Sequence, residues 1–232
     1  MLKAIFFDLG STLWDDHPLI LDMWDSAAAI LSHRGIPTTV ADMEALSRQV
    51  IASYSPSLTR AIIWQRLNGD KQAYQEVMAE IAANSIKTFD DPAEFRRLNP
   101  LFPETKDVLA KLAPHFQLGV ITQHFSEVRQ WITYHGICQY FRHMAISNEQ
   151  KLYKPDPRLF LGACRAIDVA PEECCMVGDR LDNDIFPANR IGMTTVRILK
   201  GPYVIQKERY HRDSPDYTIS SIGELPDAIM GS

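Results

Sequence analysis

The chain has 232 residues, of which 46% are hydrophobic and 23% charged, and its formal net charge is −5. This composition is that of an ordinary globular protein, long enough for one core and a smaller module. The net negative charge gives no sign of the basic surface that nucleic-acid-binding proteins usually have, so no nucleic-acid partner is expected. No apolar stretch approaches a membrane span, and the first apolar run is too short for a signal peptide, so no membrane partner is expected either.

Four cysteines, at positions 138, 164, 174 and 175, show neither CxxC nor zinc-type spacing. The adjacent pair lies in an apolar segment and is interpreted as two small hydrophobic residues. This cysteine usage predicts a reducing, cytoplasmic setting. A monomer and a homodimer are both compatible with the sequence.

The first predicted element is an apolar strand over residues 3–7, which ends at Asp8 and a Gly-Ser-Thr turn. A short apolar run bounded by turn residues is typical of a buried strand in a parallel sheet. Ligands of open α/β sheets bind outside the carboxyl ends of such strands, so Asp8 has the position of a catalytic group. The alternative is an Asp that caps the turn through its own backbone.

Residues 15–99 show helical periodicity alone. Helices are predicted from about residue 19 to Gly35, from Thr39 to about 50, and over 58–67 and 73–81. Pro56 separates the second of these helices from the third. The segment is therefore predicted to be a helical module inserted after the first strand.

Five further strands are predicted over 118–121, 143–146, 174–177, 194–198 and 217–219. Thr122 follows the first of these, Lys154 stands before Pro155, and Asp179 and Asp184 follow the 174–177 strand. The predicted fold class is α/β, with a Rossmann-like parallel sheet core formed by residues 1–14 and 100–232 and an inserted helical domain over 15–99.

These polar residues are the parts that phosphoryl transfer requires. A carboxylate such as Asp8 can attack phosphorus and divide one displacement into two easier ones. Mg²⁺ binds through one or two carboxylates and phosphate, a role that suits Asp8 with Asp179. Thr122 can donate to a phosphoryl oxygen and Lys154 can neutralise one. Taken separately, Lys154 is compatible with a solvated loop residue, and Asp179 and Asp184 with a helix-start acid and a surface neighbour.

Four segments, FFDLGSTL, LGVITQHF, KLYKPDPRLF and CCMVGDRLDNDI, resemble motifs one to four of the haloacid dehalogenase superfamily, whose members are mostly Mg²⁺-dependent phosphatases. The resemblance implies that Asp8 is the nucleophile and Lys154 a second catalytic residue. It implies that the substrate is bound by Thr122, Gln123 and Lys154. It implies a magnesium site formed by Asp8, the backbone carbonyl of Gly10, Asp179 and Asp184.

The helical segment resembles the superfamily's type 1 cap, a lid that closes over the phosphate and selects the substrate. Five side chains of this segment are candidates for the substrate side, although aromatic residues at helical spacing usually pack in a core and arginines usually cover a surface. They are Trp24, Tyr54, Arg60, Trp64 and Arg66.

Gly10 departs from the family pattern, because the phosphatases usually carry there a second Asp that protonates the leaving group. Such assistance is worth about two to four orders of magnitude in rate. One explanation is a substrate whose leaving group needs little protonation, such as a sugar 1-phosphate or an acyl phosphate. Another is a proton donor elsewhere, in the segment Trp14-Asp15-Asp16-His17 or at His124, for which the alternative is a loop histidine with no catalytic role. The alternative to a catalytic role for Asp16 and His17 is that they cap a helix that starts at Pro18.

A third explanation is that the protein is not a phosphatase. The family's dehalogenases also lack the second Asp, but they have a Tyr that this chain lacks, and they need no cation. A catalytically silent binder of a phosphorylated metabolite would need no nucleophile. The favoured interpretation is therefore a Mg²⁺-dependent phosphatase of a small phosphorylated metabolite, such as a sugar phosphate, acting through an aspartyl-phosphate.

Overall fold

The computed structural model describes residues 1–124 and 126–231, and for residues 85–90 it describes the backbone alone. The chain divides into two compact units, Met1–Asp15 with Pro100–Ser232, and Asp16–Asn99. The predicted boundary lay one residue earlier, before Asp15. No helix in the described part of the chain is long and apolar enough to cross a membrane.

The first unit contains a six-stranded parallel sheet in the order β3-β2-β1-β4-β5-β6. Its strands are β1 (Ala4–Phe7), β2 (Gln117–Thr122), β3 (Phe141–Ile146), β4 (Cys174–Gly178), β5 (Thr194–Ile198) and β6 (Tyr217–Ile219). Every strand was predicted, with ends correct to within two residues. The α/β fold class is thus confirmed.

The helices of the second unit are α1 (His17–His33), α2 (Val40–Ala52), α3 (Leu58–Arg66), α4 (Lys71–Asp90) and α5 (Pro92–Leu98). Those of the first unit are α6 (Thr105–Leu112), α7 (Val128–Tyr134), α8 (Ser147–Gln150), α9 (Pro157–Ala166), α10 (Phe186–Arg190) and α11 (Leu225–Met230). Local signals explain several ends: Thr39 and Asp42 form a capping box at α2, and Gly35, with φ of 80°, follows α1.

The central strands are buried because helices cover the sheet. All four residues of β1 and all five of β4 are buried. On one face, Leu159, Phe160 and Ala163 of α9 pack in one apolar cluster with Phe6 and Met176. A strand buried in this way is held rigidly, so the residue that follows it has a fixed position. That applies first to the residue after β1.

The helical unit has a core of its own, which includes Trp24, Leu31, Met43 and Ile62. Trp24 is buried, and its indole N–H donates to the Thr59 hydroxyl at 3.0 Å. The guanidinium of Arg66 donates to the Thr38 hydroxyl at 2.9 Å and to the Pro37 carbonyl. Trp24 and Arg66 therefore have structural roles inside this unit.

Candidate active site

Asp8 lies at the carboxyl end of the central strand β1. Phe7 is in register with Val120 of β2 and Val177 of β4, and the Asp8 N–H donates to the Val177 carbonyl at 2.9 Å. The side chain of Asp8 is 18% exposed. The sheet therefore fixes the backbone of this acid while its carboxylate keeps access to a ligand.

Lys154 binds two carboxylates at once. Its Nζ lies 2.7 Å from Asp8 Oδ1 and 2.6 Å from Asp184 Oδ1, and only 2% of the side chain is exposed. Burial alone would lower the pKa of Lys154, but Asp184 and Asp8 outweigh it and raise that pKa above its usual value. Lys154 is therefore a buried ammonium and not a solvated loop lysine.

Asp184 lies on a single π-turn, Leu181–Ile185, that follows β4. Burial raises the pKa of its carboxyl to about 6, against the lowering effect of Lys154. A Cβ on Gly178 would come within 2.5 Å of the Asp184 side chain, so only glycine lets this acid lie against the strand end. Asp184 is therefore a buried acid held at the sheet edge and not a surface neighbour.

Asp179, which directly follows Gly178, completes a cluster with Asp8 and Asp184. Carboxylate oxygens of the three residues lie within 4.8 Å of one another. Asp179 and Asp184 are 4% and 1% exposed. Three carboxylates face the one ammonium of Lys154, so the cluster carries excess negative charge and suits a small divalent cation.

Thr122 ends β2 beside Asp8. It is 1% exposed, and its buried hydroxyl has no hydrogen-bond partner among the residues that the structure describes. A buried hydroxyl in this state costs free energy, and an anionic ligand oxygen would relieve it. Gln123 is exposed in the loop after β2, so its role in substrate binding stays a prediction.

The loop after β5 approaches the loop after Asp8. A Cβ on Gly201, whose φ is 66°, would lie 2.0 Å from the Ser11 hydroxyl oxygen and 3.9 Å from an Asp179 carboxylate oxygen. Gly10 lies beside Ser11 and is half-buried. The role of its carbonyl as a metal ligand stays a prediction.

Of the residues proposed to replace the missing acid, His124 interacts electrostatically with Asp8 and Lys154. The pKa of His124 is lowered, chiefly by burial; Asp8 opposes this shift and Lys154 adds to it. Its ring contacts Trp131 edge-on, with the centroids 5.5 Å apart. Asp16 has the N-cap position of α1, as the capping interpretation expects, although its side chain makes no capping hydrogen bond within the described residues.

Comparison with known proteins decides the family. The sequence model of the haloacid dehalogenase-like hydrolases matches residues 2–192. The chain belongs to this family. A glyceraldehyde 3-phosphate phosphatase of Methanopyrus kandleri is 32% identical over an alignment that covers 99% of this chain and 97% of the relative. The family and the hydrolase and phosphatase class predicted from the sequence are confirmed.

Solved structures show the same fold. A predicted phosphoglycolate phosphatase of Haemophilus somnus has a TM-score of 0.75 at 20% identity, with 98% of this chain and 97% of the other covered. A 2-haloacid dehalogenase of Pseudomonas syringae has a TM-score of 0.62 at 24% identity, with 100% and 99% covered. Because one fold carries both chemistries, these structures show the fold and not the reaction.

Two features of this haloacid dehalogenase-like site were missed in the sequence. Arg180 donates its backbone N–H to Asp184 Oδ2 at 3.1 Å, and Gln206 donates to the Asp182 carboxylate at 2.9 Å. The segment GDRLDNDI shows that extra charged residues accompany the two acids. Nothing in the local sequence indicates that Gln206, 24 residues away from Asp182, contacts them.

Proposed function

We propose that this protein is a Mg²⁺-dependent phosphatase that hydrolyses a small phosphorylated metabolite through an aspartyl-phosphate on Asp8. The observation that carries the proposal is the position of Lys154, whose ammonium contacts both Asp8 and Asp184 at the carboxyl edge of the sheet. The proposed nucleophile Asp8, the buried ammonium of Lys154 and the two further acids Asp179 and Asp184 therefore lie close together.

Asp8 is the acid of the cluster suited to attack, because it follows the central strand and is more exposed than Asp179 and Asp184. A carboxylate oxygen of Asp8 forms a bond to phosphorus while the bond from phosphorus to the ester oxygen breaks. The leaving oxygen takes a proton from water or from the residue that replaces the missing acid. Water then attacks phosphorus and gives up a proton while the bond from phosphorus to the Asp8 oxygen breaks, which releases phosphate and restores Asp8.

Lys154 and Thr122 act on the phosphoryl oxygens. The Lys154 ammonium neutralises charge that spreads over these oxygens in the transition state, in a buried site where the interaction is strong. The Thr122 hydroxyl, which has no partner within the described part of the chain, donates to another of them. Both groups are held by the fold before substrate arrives.

The cation would be held by Asp8, Asp179 and Asp184, with the Gly10 carbonyl as the further ligand that the family resemblance implies. The all-oxygen donor set and the excess negative charge fit Mg²⁺. When bound, the ion offsets the repulsion between a phosphate dianion and the attacking carboxylate. The dehalogenase alternative uses the same nucleophile but needs no cation, so it gives the excess negative charge of this cluster nothing to bind.

The substrate proposed is a small sugar or triose phosphate, since the Methanopyrus kandleri relative is named a glyceraldehyde 3-phosphate phosphatase. We propose the helical unit, residues 16–99, as the type 1 cap, with Tyr54, Arg60 and Trp64 still candidates for selecting the substrate. A reducing, cytoplasmic setting is supported by the four cysteines, which are all free thiols. A monomer and a homodimer remain the proposed alternatives.

Release of nitrophenol from p-nitrophenyl phosphate tests the reaction, because this leaving group needs no protonation and Gly10 is then no handicap. Turnover that depends on Mg²⁺ and stops with a chelator is expected. Phosphate release from glyceraldehyde 3-phosphate, phosphoglycolate and sugar 1-phosphates then ranks the substrates. Absence of turnover by protein with Mg²⁺ bound would contradict the proposal and favour the silent binder.

His124→Gln tests the source of the missing proton. If His124 supplies it, the variant should lose about 10²-fold in kcat with glyceraldehyde 3-phosphate and less than about threefold with p-nitrophenyl phosphate. His115→Gln, the same change at an exposed histidine, serves as control. Equal losses with both substrates would exclude His124 and leave Asp15, Asp16 and His17 as candidates.

A further inference from the structure

Behind the acid-bearing turn lies a buried polar network that the reaction itself does not use. We call it the turn clamp. Its members come from the turn after β4, from β5 and from the segment that follows β5: Arg180, Asp182, Arg197, Tyr203 and Gln206. All of the clamp belongs to the first unit.

Gln206 joins the segment after β5 to the turn. Its Oε1 accepts from the Leu181 N–H at 2.9 Å, and its Nε2 donates to Asp182 Oδ1 at 2.9 Å. The residue is 4% exposed. A single amide thus uses its acceptor and its donor on consecutive residues of the turn, which fixes the turn's position with a pair of buried hydrogen bonds.

Arg180 and Asp182 form a second link between the turn and the same segment, through Tyr203. The guanidinium donates to both Asp182 carboxylate oxygens, at 3.1 and 2.7 Å, and to the Tyr203 hydroxyl at 3.1 Å. Its central carbon lies 4.1 Å from the centroid of the Tyr203 ring. Because Asp182 pairs with its charge, Arg180 is engaged in the clamp.

Arg197 fixes the segment that carries Tyr203 and Gln206. From β5 its guanidinium donates to the carbonyls of Gln206 at 3.2 Å, Tyr203 at 2.9 Å and Val204 at 3.3 Å. It is 8% exposed. The segment is therefore tied to the sheet itself, and through Gln206 the sheet is tied to the turn.

The position of this turn also fixes the positions of Asp179 and Asp184. The Arg180 N–H donates to Asp184 Oδ2 at 3.1 Å, and the Asp184 N–H donates to the Arg180 carbonyl at 3.0 Å. Asp179 directly precedes Arg180. A shift of the turn would displace both carboxylates relative to Asp8, and binding of a small cation is sensitive to ligand geometry.

We propose that the turn clamp positions Asp179 and Asp184 for a divalent cation, with Gln206 as its principal positioning residue. The inference rests on the proposed function, in which these acids hold Mg²⁺. A clamp that served folding alone would change the stability of the protein and leave the Mg²⁺ affinity of the folded molecules unchanged.

The test is a calorimetric titration of Mg²⁺ alone, without substrate, into wild type and Gln206→Met. The variant removes both hydrogen bonds of the amide and keeps a side chain of similar length. Its dissociation constant for Mg²⁺ is expected to rise roughly tenfold or more, the usual effect of removing a group that orients metal ligands. Gln206→Asn keeps the amide but shortens the side chain, and it is used if Gln206→Met does not fold. Its affinity for Mg²⁺ is expected to fall several-fold.

Thr195→Val is the matched control. Thr195 is buried near the amino end of β5, and its hydroxyl bridges Asn189 and Asp216. The acids lie at the other end of the strands, their carboxyl end. Thr195→Val is expected to lose stability and to bind Mg²⁺ as wild type does. A folded Gln206 variant with the wild-type Mg²⁺ dissociation constant would overturn the inference. Failure of the proposed metal site would look different. Wild type would then either bind no Mg²⁺ or bind Mg²⁺ that the Asp179→Asn variant binds equally well.

Discussion

Asp8→Asn is expected to lower kcat for p-nitrophenyl phosphate by at least about three orders of magnitude, because an amide oxygen cannot replace the carboxylate as nucleophile. The substitution keeps the size of the side chain and an oxygen that can accept from Lys154 Nζ, 2.7 Å away in the wild type. The protein should therefore remain folded. Steady-state release of nitrophenol measures the effect.

The same change at an exposed acid provides the control. Asp107 lies in the first turn of α6, outside the acid cluster, and Asp107→Asn should keep wild-type turnover. If Asp8→Asn retained more than about a tenth of the wild-type kcat, the role of Asp8 as nucleophile would have to be abandoned.

Lys154→Met is expected to damage both catalysis and stability. Removal of the ammonium takes away a phosphate ligand, which should lower kcat about 10²- to 10³-fold. It also leaves buried carboxylates without their counter-ion, and loss of one partner of a buried ion pair costs about 3–5 kcal/mol. Steady-state kinetics and urea unfolding without Mg²⁺ measure the two effects.

The remaining carboxylates respond to the loss in a predictable direction. Lys154 lowers the pKa of Asp184, so its removal should raise that pKa further above about 6 and protonate the acid near neutral pH. The stability deficit of Lys154→Met should therefore shrink as the pH is lowered. Lys106→Met, at an exposed lysine of α6, should change neither property. A deficit that grows as the pH falls would contradict the ion-pair account.

The sheet could be predicted from the sequence because every strand is a short apolar run with a clear end. Burial of β1 and β4 on both faces removes the polar alternation that would blur such a signal. The helical unit was less predictable. The spacing in α4 gave helix only over residues 73–81, within Lys71–Asp90, and α5 was not predicted, since short helices have weak periodicity.

The candidate site was predictable where chemistry follows a strand directly. Asp8, Thr122 and Asp179 needed only the rule that parallel strands end at one edge. The depth of burial of Lys154 and Asp184 was not predictable, because the sequence alone allows both to be surface residues. Gln206 and Arg197 were not identified, since their contacts depend on how the segment after β5 folds back on the turn.

The most direct test of the central claim is to acid-quench the protein during turnover of a ³²P-labelled phosphate ester. The account predicts label on the protein that is released by hydroxylamine, as an acyl phosphate is, and that maps to the peptide containing Asp8. Asp8→Asn should carry no label. Label on another residue, or full turnover with none trapped in wild type at any quench time, would contradict an aspartyl-phosphate on Asp8.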